Sequence, residues 1–116
     1  MLSNTGINKA ILLGQITTDI ETQTDANNQQ CTCFTMVTVE SVKKGQTTVE
    51  HKEYHAIKVP EKLMFSENLQ LEVGMTVYVE GKIQTNSFID QSRVKRYVLE
   101  IVANKLEILN LIPVTV

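Results

Sequence analysis

Residues 75–88 read MTVYVEGKIQTNSF, and their alternation decides the fold. Met75, Val77, Val79, Gly81 and Ile83 fall on one side of an extended chain, and Thr76, Tyr78, Glu80, Lys82, Gln84, Asn86 and Phe88 on the other. Successive side chains of a strand point to opposite faces, so this period of two predicts a strand with its odd row buried. A turn region at Asp90–Ser92 follows, and a further strand is predicted from about Lys95 to Ala103. Upstream, Pro60 opens PEKLMFSENL. The proline ring fixes φ at a value suited to a first helical turn, Leu63 and Leu69 can face inward, and Gly74 returns the chain to extended form, so a helix of about two turns is expected.

Before the helix the alternation resumes. A strand is predicted from about Thr48 to Val59, preceded by a turn at KKGQ centred on Gly45, and another from Cys31 to Glu40, with Phe34 and Met36 on one side. Residues 22–29, TQTDANNQ, read as a polar turn cluster. The first strand, Ile7 to Ile16, is apolar on both faces, and Gly14 near its end suggests a bulge or bend. Five strands with one short helix between the third and the fourth is the order of the OB-fold, an all-β Greek-key barrel that commonly binds oligonucleotides. One such domain is expected over residues 1–116, with its core at about 7–108.

Composition agrees. A chain of 116 residues, 42% hydrophobic and 21% charged, carries one core and no second domain. No stretch approaches the ~20 consecutive apolar residues of a membrane-spanning helix, and MLSNTGINKAILLG lacks the charged leader of a secretory signal. A soluble, unexported protein without a membrane partner is expected, cytoplasmic and associated with the nucleoid. The formal charge of −2 removes the strongly basic composition of a self-evident nucleic-acid binder, but the charges are unevenly placed. No Lys or Arg occurs from Ala10 to Val42, whereas Lys43, Lys44, Lys52 and Lys58 cluster in one segment and Lys82, Arg93, Lys95 and Arg96 in another. Two basic segments of this kind can attract a polyanion locally.

Catalysis finds no footing. There is no phosphate-binding glycine loop and no nucleophile elbow, and neither His51 nor His55 has a nucleophile or carboxylate at a telling spacing. Cys31 and Cys33 are two apart on a strand, with Cα atoms roughly 6.5 Å apart on one face, which disfavours a mutual disulfide. They read as reduced thiols; no metal site and no cofactor are expected, since the paired Cys-x-x-Cys spacing of a zinc site is missing. Parity carries a binding reading instead. If Ile57 and Val59 point inward, then Lys52, Tyr54, Ala56 and Lys58 point outward; if the odd row of 75–83 is buried, Lys82, Gln84, Asn86 and Phe88 point outward. An exposed ring in each of two lysine-bearing rows suits single-stranded nucleic acid, whose bases stack on rings while lysine neutralises phosphate.

INKAILLGQITTDIE, KEYHAIKV and VGMTVYVEGKIQTNSF, in this order and spacing, resemble the bacterial and organellar single-stranded DNA-binding protein, over about Ile7 to Ile108. The resemblance implies an OB-fold that binds single-stranded DNA without sequence preference, in replication, recombination or repair, and that assembles as a homotetramer or otherwise a homodimer. It places Tyr54 and Phe88 at stacking positions. Lys43, Lys44, Lys52, Lys58, Lys82, Arg93, Lys95 and Arg96 are the expected phosphate contacts, and Ile7, Lys9, Ile11 and His55 the expected subunit contacts. Two positions where such proteins carry further rings hold Val42 and Pro60, and the basic run before Phe88 is replaced by Gln84, Thr85, Asn86 and Ser87.

The chain closes on LNLIPVTV, apolar and uncharged, where such proteins continue into a Gly-, Pro- and Gln-rich linker with an acidic tip. Replication or repair partners are therefore not expected to be recruited through an acidic tail. Two other functions fit the same fold: an adaptor in replication restart, resembling the dimeric primosomal accessory protein, and a protein-assembly module with no nucleic-acid role.

Overall fold

The computed structural model describes residues 5–24 and 27–109. In chain order it has strands β1 (Ala10–Ile16), β2 (Glu21–Thr24), β3 (Gln30–Lys44) and β4 (Thr47–Pro60), helix α1 (Glu61–Ser66), and strands β5 (Thr76–Ile89) and β6 (Lys95–Leu109). The sheet runs β1-β5-β6-β4-β3-β2, and β1 also pairs with β3 through Gln15↔Val37 and Ile16↔Met36, which closes five strands into a barrel. Only β4 and β6 run parallel. This is the OB-fold, with six strands rather than five because part of the polar segment 22–29 pairs with β3 as β2. All four residues of β2 are exposed, so no apolar row announces it, and backbone pairing alone makes the strand. The helix is correspondingly after the fourth strand, and its six residues make about one and a half to two turns, as expected of PEKLMFSENL.

Ile16, Phe34, Met36, Ile57, Val59, Val77, Val79, Ile101 and Leu106 form the buried core, each fully buried side chain contributing about 1.5–3 kcal/mol. In β6 the inward row is Ile101 and Ala103, then Leu106. The step of three arises at a bulge: Gly81 pairs with Ala103 but Glu80 with Lys105, leaving Asn104 as the extra residue. A pure period of two stops at Ala103; the bulge lets the strand continue to Leu109. Ile83, expected in the buried row, is exposed, because beyond Gly81 the β5–β6 hairpin leaves the barrel and has no opposing layer. Asn8 ties the preceding segment to this arm: its Nδ2 donates to the Ile83 carbonyl (2.8 Å) and its Oδ1 accepts from the Ile83 N–H (2.9 Å).

Gly14 is not at a bulge. It stands where β1 passes from β5 to β3, and a Cβ there would fall on the carbonyl of Val37. At Gly81, which does adjoin the β5–β6 bulge, an added Cβ would fall on the Val102 carbonyl. Among the described residues no helix is long and apolar enough to cross a membrane.

Candidate nucleic-acid interface

The sheet register assembles one outer face from β3, β4, β6 and β5. Cys33 pairs with Lys58, Lys58 with Val102, and Val102 with Lys82, which makes a row across four strands. The next row is Thr35, Ala56, Glu100 and Gln84. Two residues further on, Val37 pairs with Tyr54 and Val98 with Asn86; beyond these, Val39 pairs with Lys52 and Arg96 with Phe88. Tyr54 and Phe88 thus share a face with Lys52, Lys58 and Lys82, and both rings are open to solvent, at 63% and 51%.

A groove runs along this face, bounded by Gln23, Thr24 and residues 27–31 on one side and by α1 on another, with Lys58, Gln84, Asn86, Phe88, Glu100 and Val102 along it. Phe65, 75% exposed on α1, lines it too, as does Lys62. Sequence reasoning missed Phe65. Its signal is the helical period: Leu63 packs against the core, so Glu61 and Phe65, four apart, share the outward side. A ring on the helix therefore stands near the position left without one at Pro60.

The other basic residues are less uniformly placed. Lys43 and Lys44 are the last two residues of β3, just before the β3–β4 turn, and the register puts Lys43 on the Tyr54 side and Lys44 on the reverse. Lys95 is in the odd row of β6, on the reverse side from Phe88, with its Nζ 5.6 Å from the centre of the Tyr97 ring. Arg93 takes a left-handed conformation, φ 61°, at the β5–β6 turn. Arg96 is on the Phe88 face, but its Nε donates to Asp90 Oδ2 at 2.9 Å.

Asp90 organises that turn. Its Oδ1 accepts from the backbone N–H groups of Ser92 (2.8 Å) and Val94 (2.9 Å). The Val94 N–H, the Arg96 guanidinium and the Ser92 N–H hold its carboxyl below the usual carboxylate range. The folded pKa lies below the unfolded one, so the contribution is complete above the unfolded value and is lost as pH falls through the folded value. The amide chemical shifts of Ser92 and Val94 should titrate together with a midpoint below the ordinary 3.8, and the transition should vanish in Asp90→Asn. A midpoint at or above that value would remove the carboxylate from the turn.

Cys31 and Cys33 are free thiols on the outer face, with sulfurs 3.8 Å apart. Burial pushes the Cys33 thiol up to about 12, helped by the Cys31 thiol and the Glu100 charge and opposed by Lys58. His51 and His55 project from the reverse side of β4, so the two pairs face away from each other and no two-Cys, two-His site is assembled. His51 Nε2 meets Glu53 Oε1 at 2.7 Å, and His55, half-buried, bonds Thr38 Oγ1 at 2.9 Å.

On β1 the rows separate as the alternation implies. Ala10 and Leu12 pack on the core, while Ile11 and Leu13 are exposed at 57% and 55%. Ile7 is also exposed, and Lys9 pairs with Glu80 at 3.3 Å. The segment Asn110–Val116, apolar in sequence, lies outside the described residues.

Solved structures share this architecture. A Plasmodium falciparum SSB, in complex with ssDNA, superposes with a TM-score of 0.76 over 94% of this chain and 100% of its own, at 21% identity. A small single-stranded DNA-binding protein from Streptomyces coelicolor gives 0.65 over 86% and 92%, at 16% identity. In sequence, Single-stranded DNA-binding protein 1 of Chlorobaculum tepidum is 33% identical over 106 residues, 90% of this chain and 65% of that protein, so the present chain spans about 65% of that relative's length. Residues 7–109, from the exposed Ile7 to the last residue of β6, match the Single-strand binding protein family, and the chain belongs to that family.

Proposed function

We propose that this chain binds single-stranded DNA through the β3–β4–β6–β5 face and protects or organises it in replication, recombination or repair. The observation that carries this reading is the juxtaposition of Tyr54 and Phe88 on one outer face with Lys52, Lys58 and Lys82. Exposed rings offer π-faces to bases of any identity, and the lysines neutralise phosphates. Phe65 adds a third ring from the helix side of the groove. Lys43, Arg93 and Arg96 extend the positive field toward the two hairpin tips, and Lys44 and Lys95 contribute from the reverse side. Membership in the family and the C. tepidum relative's name support the choice of ligand.

The test is an anisotropy titration with labelled oligo-dT and with duplex of equal length at two salt concentrations. The single strand should bind more tightly, with log affinity falling by about 0.7 per phosphate neutralised for each unit of log salt. Equal affinity for the duplex would overturn the stacking reading.

The same chain is proposed to work as a homo-oligomer, a tetramer or otherwise a dimer. Ile11 and Leu13 present an apolar row to solvent, and among the described residues Ala10–Gly14 has no strand on the edge away from β5, since β1 meets β3 only at Gln15 and Ile16. Pairing of this edge across a two-fold axis would cover both features, with Ile7 and Lys9 beside it and His55 at a further contact. Light scattering at low micromolar concentration should give a multiple of 13.1 kDa. Ile11→Lys with Leu13→Lys should reduce that mass; a wild-type mass of 13.1 kDa at every concentration would sink the assembly.

A further inference from the structure

The floor of the groove holds a polar atom that the fold leaves unserved. Glu100, in the middle of β6, is flanked by Ala56 of β4 and Gln84 of β5, and its side chain lines the groove with Lys58, Gln84 and Asn86. Its Oε2 is sealed from solvent and has no hydrogen-bond partner, the one such side-chain atom among the described residues. Neither Glu100 nor Lys58 takes part in any ion pair among the described residues. A buried acceptor left in this way is costly, and a negative charge is unfavourable in a groove that receives a polyanion.

Both costs fall if the group facing Glu100 is a base edge rather than a phosphate. The carboxylate repels phosphate, which keeps the sugar–phosphate chain on the lysine-bearing margins and turns the bases toward the floor. A carboxylate only accepts, and the terminal torsion of a glutamate is soft, so either oxygen can turn to a donor that enters the groove. The Watson–Crick edge of guanine offers N1–H and N2–H side by side, two donors for two oxygens. Thymine offers one N–H between two carbonyl oxygens, each of which would face the negative charge.

We propose that Glu100 reads base edges in the groove and makes this chain favour guanine over thymine at the position lying on the Gln84–Glu100–Ala56 row. The inference rests on the single-stranded DNA reading above and adds a preference to it. Gln84 assists as a positioning residue, since its amide can donate to the guanine O6 beside the carboxylate.

The experiment is an anisotropy comparison of oligo-dT with an alternating dT/dG oligonucleotide of equal length, for the wild type and Glu100→Gln. The wild type should bind the alternating strand about 10-fold more tightly, within the range of a two-point base contact. Glu100→Gln should bring the two affinities within about 2-fold of each other and tighten oligo-dT, because the repelling charge is gone while guanine has lost its paired acceptor. A ratio unchanged by the substitution, or a variant that tightens both strands equally, would overturn the proposal. An alternating strand carrying N1-methylguanine provides the same test on the wild type alone: it should lose the preference, and unchanged affinity would overturn the proposal without any variant having to fold. If the wild type binds neither strand, the single-stranded DNA reading fails as well; if it binds oligo-dT and shows no guanine preference, only the role of Glu100 falls.

Discussion

Gly14→Ala should destabilise the barrel by about 3 kcal/mol, at the upper end of what overpacking costs. The added methyl would fall on the Val37 carbonyl, with the Val37 carbonyl carbon and the Met36 side chain next nearest. A clash with the end of a flexible side chain is relieved by a rotamer change. This one is with backbone, at the crossing where Gln15↔Val37 and Ile16↔Met36 close the sheet on itself, so it is relieved only by parting β1 from β3. Ile16, which is fully buried, would be drawn away from the core with it. Urea unfolding at fixed protein concentration measures the effect, with concentration held constant because assembly contributes to apparent stability. Gly6→Ala is the control, since no atom of the described residues lies within 4 Å of a Cβ there, and it should stay within about 0.5 kcal/mol of wild type. A Gly14→Ala protein as stable as that control would mean that β1 is not pinned at the crossing.

How much of this was legible in the sequence depended on whether a side chain had to record the structure. Val77, Val79, Ile57 and Val59 had to be apolar on alternate positions because the barrel interior is on one side only, and the alternation gave the strands, their faces and the fold class. Strand β2 is held by backbone hydrogen bonds with all four side chains in solvent, so Glu-Thr-Gln-Thr could equally have been a turn. The bulge at Asn104 was recorded only as a break in parity between Ala103 and Leu106, which reads as the end of a strand until the partner register shows an extra residue.

The site shows the same division. Tyr54 and Phe88 could be assigned to an outward face from parity within their own strands, but that the two faces are one face follows from β6 lying between β4 and β5, a long-range pairing that alternation does not encode. Lys95 and Arg96 are adjacent in sequence and equal in charge; the register sends them to opposite sides, and Arg96 is further engaged by Asp90. Phe65 was readable from the period of a helix, since Leu63 faces the core and Phe65 is two residues further round. Glu100 carried no signal, since a glutamate in a strand reads as a solvated residue until its neighbours are known to leave Oε2 without a donor.

The double variant Tyr54→Ala with Phe88→Ala should lose about 2–6 kcal/mol of oligo-dT affinity, the sum of about 1–3 kcal/mol for each base deprived of its ring. Additivity is part of the expectation. Tyr54 is on β4 and Phe88 on β5, with β6 between them, and the register sets Phe88 two residues beyond the row of Tyr54, so the two rings are two strand spacings apart across the sheet and one row apart along it, roughly 12 Å in all, and stack on different bases. Coupling much above about 0.5 kcal/mol in the double-mutant cycle would mean that both rings hold one base or that one positions the other. Tyr97→Ala is the informative control: Tyr97 is as exposed as Tyr54 and only one residue from Arg96, but it lies on the reverse of the sheet beside Lys95. A strand that follows the Tyr54–Phe88 face never meets it, so its removal should change affinity by less than about 0.5 kcal/mol. Exposure alone would make the three rings equivalent; only the register separates them. If Tyr97→Ala weakens binding as much as Tyr54→Ala while Phe88→Ala leaves it unchanged, the DNA runs along the other side of the β5–β6 arm, and the groove lined by Phe65, Lys58 and Glu100 is not its path.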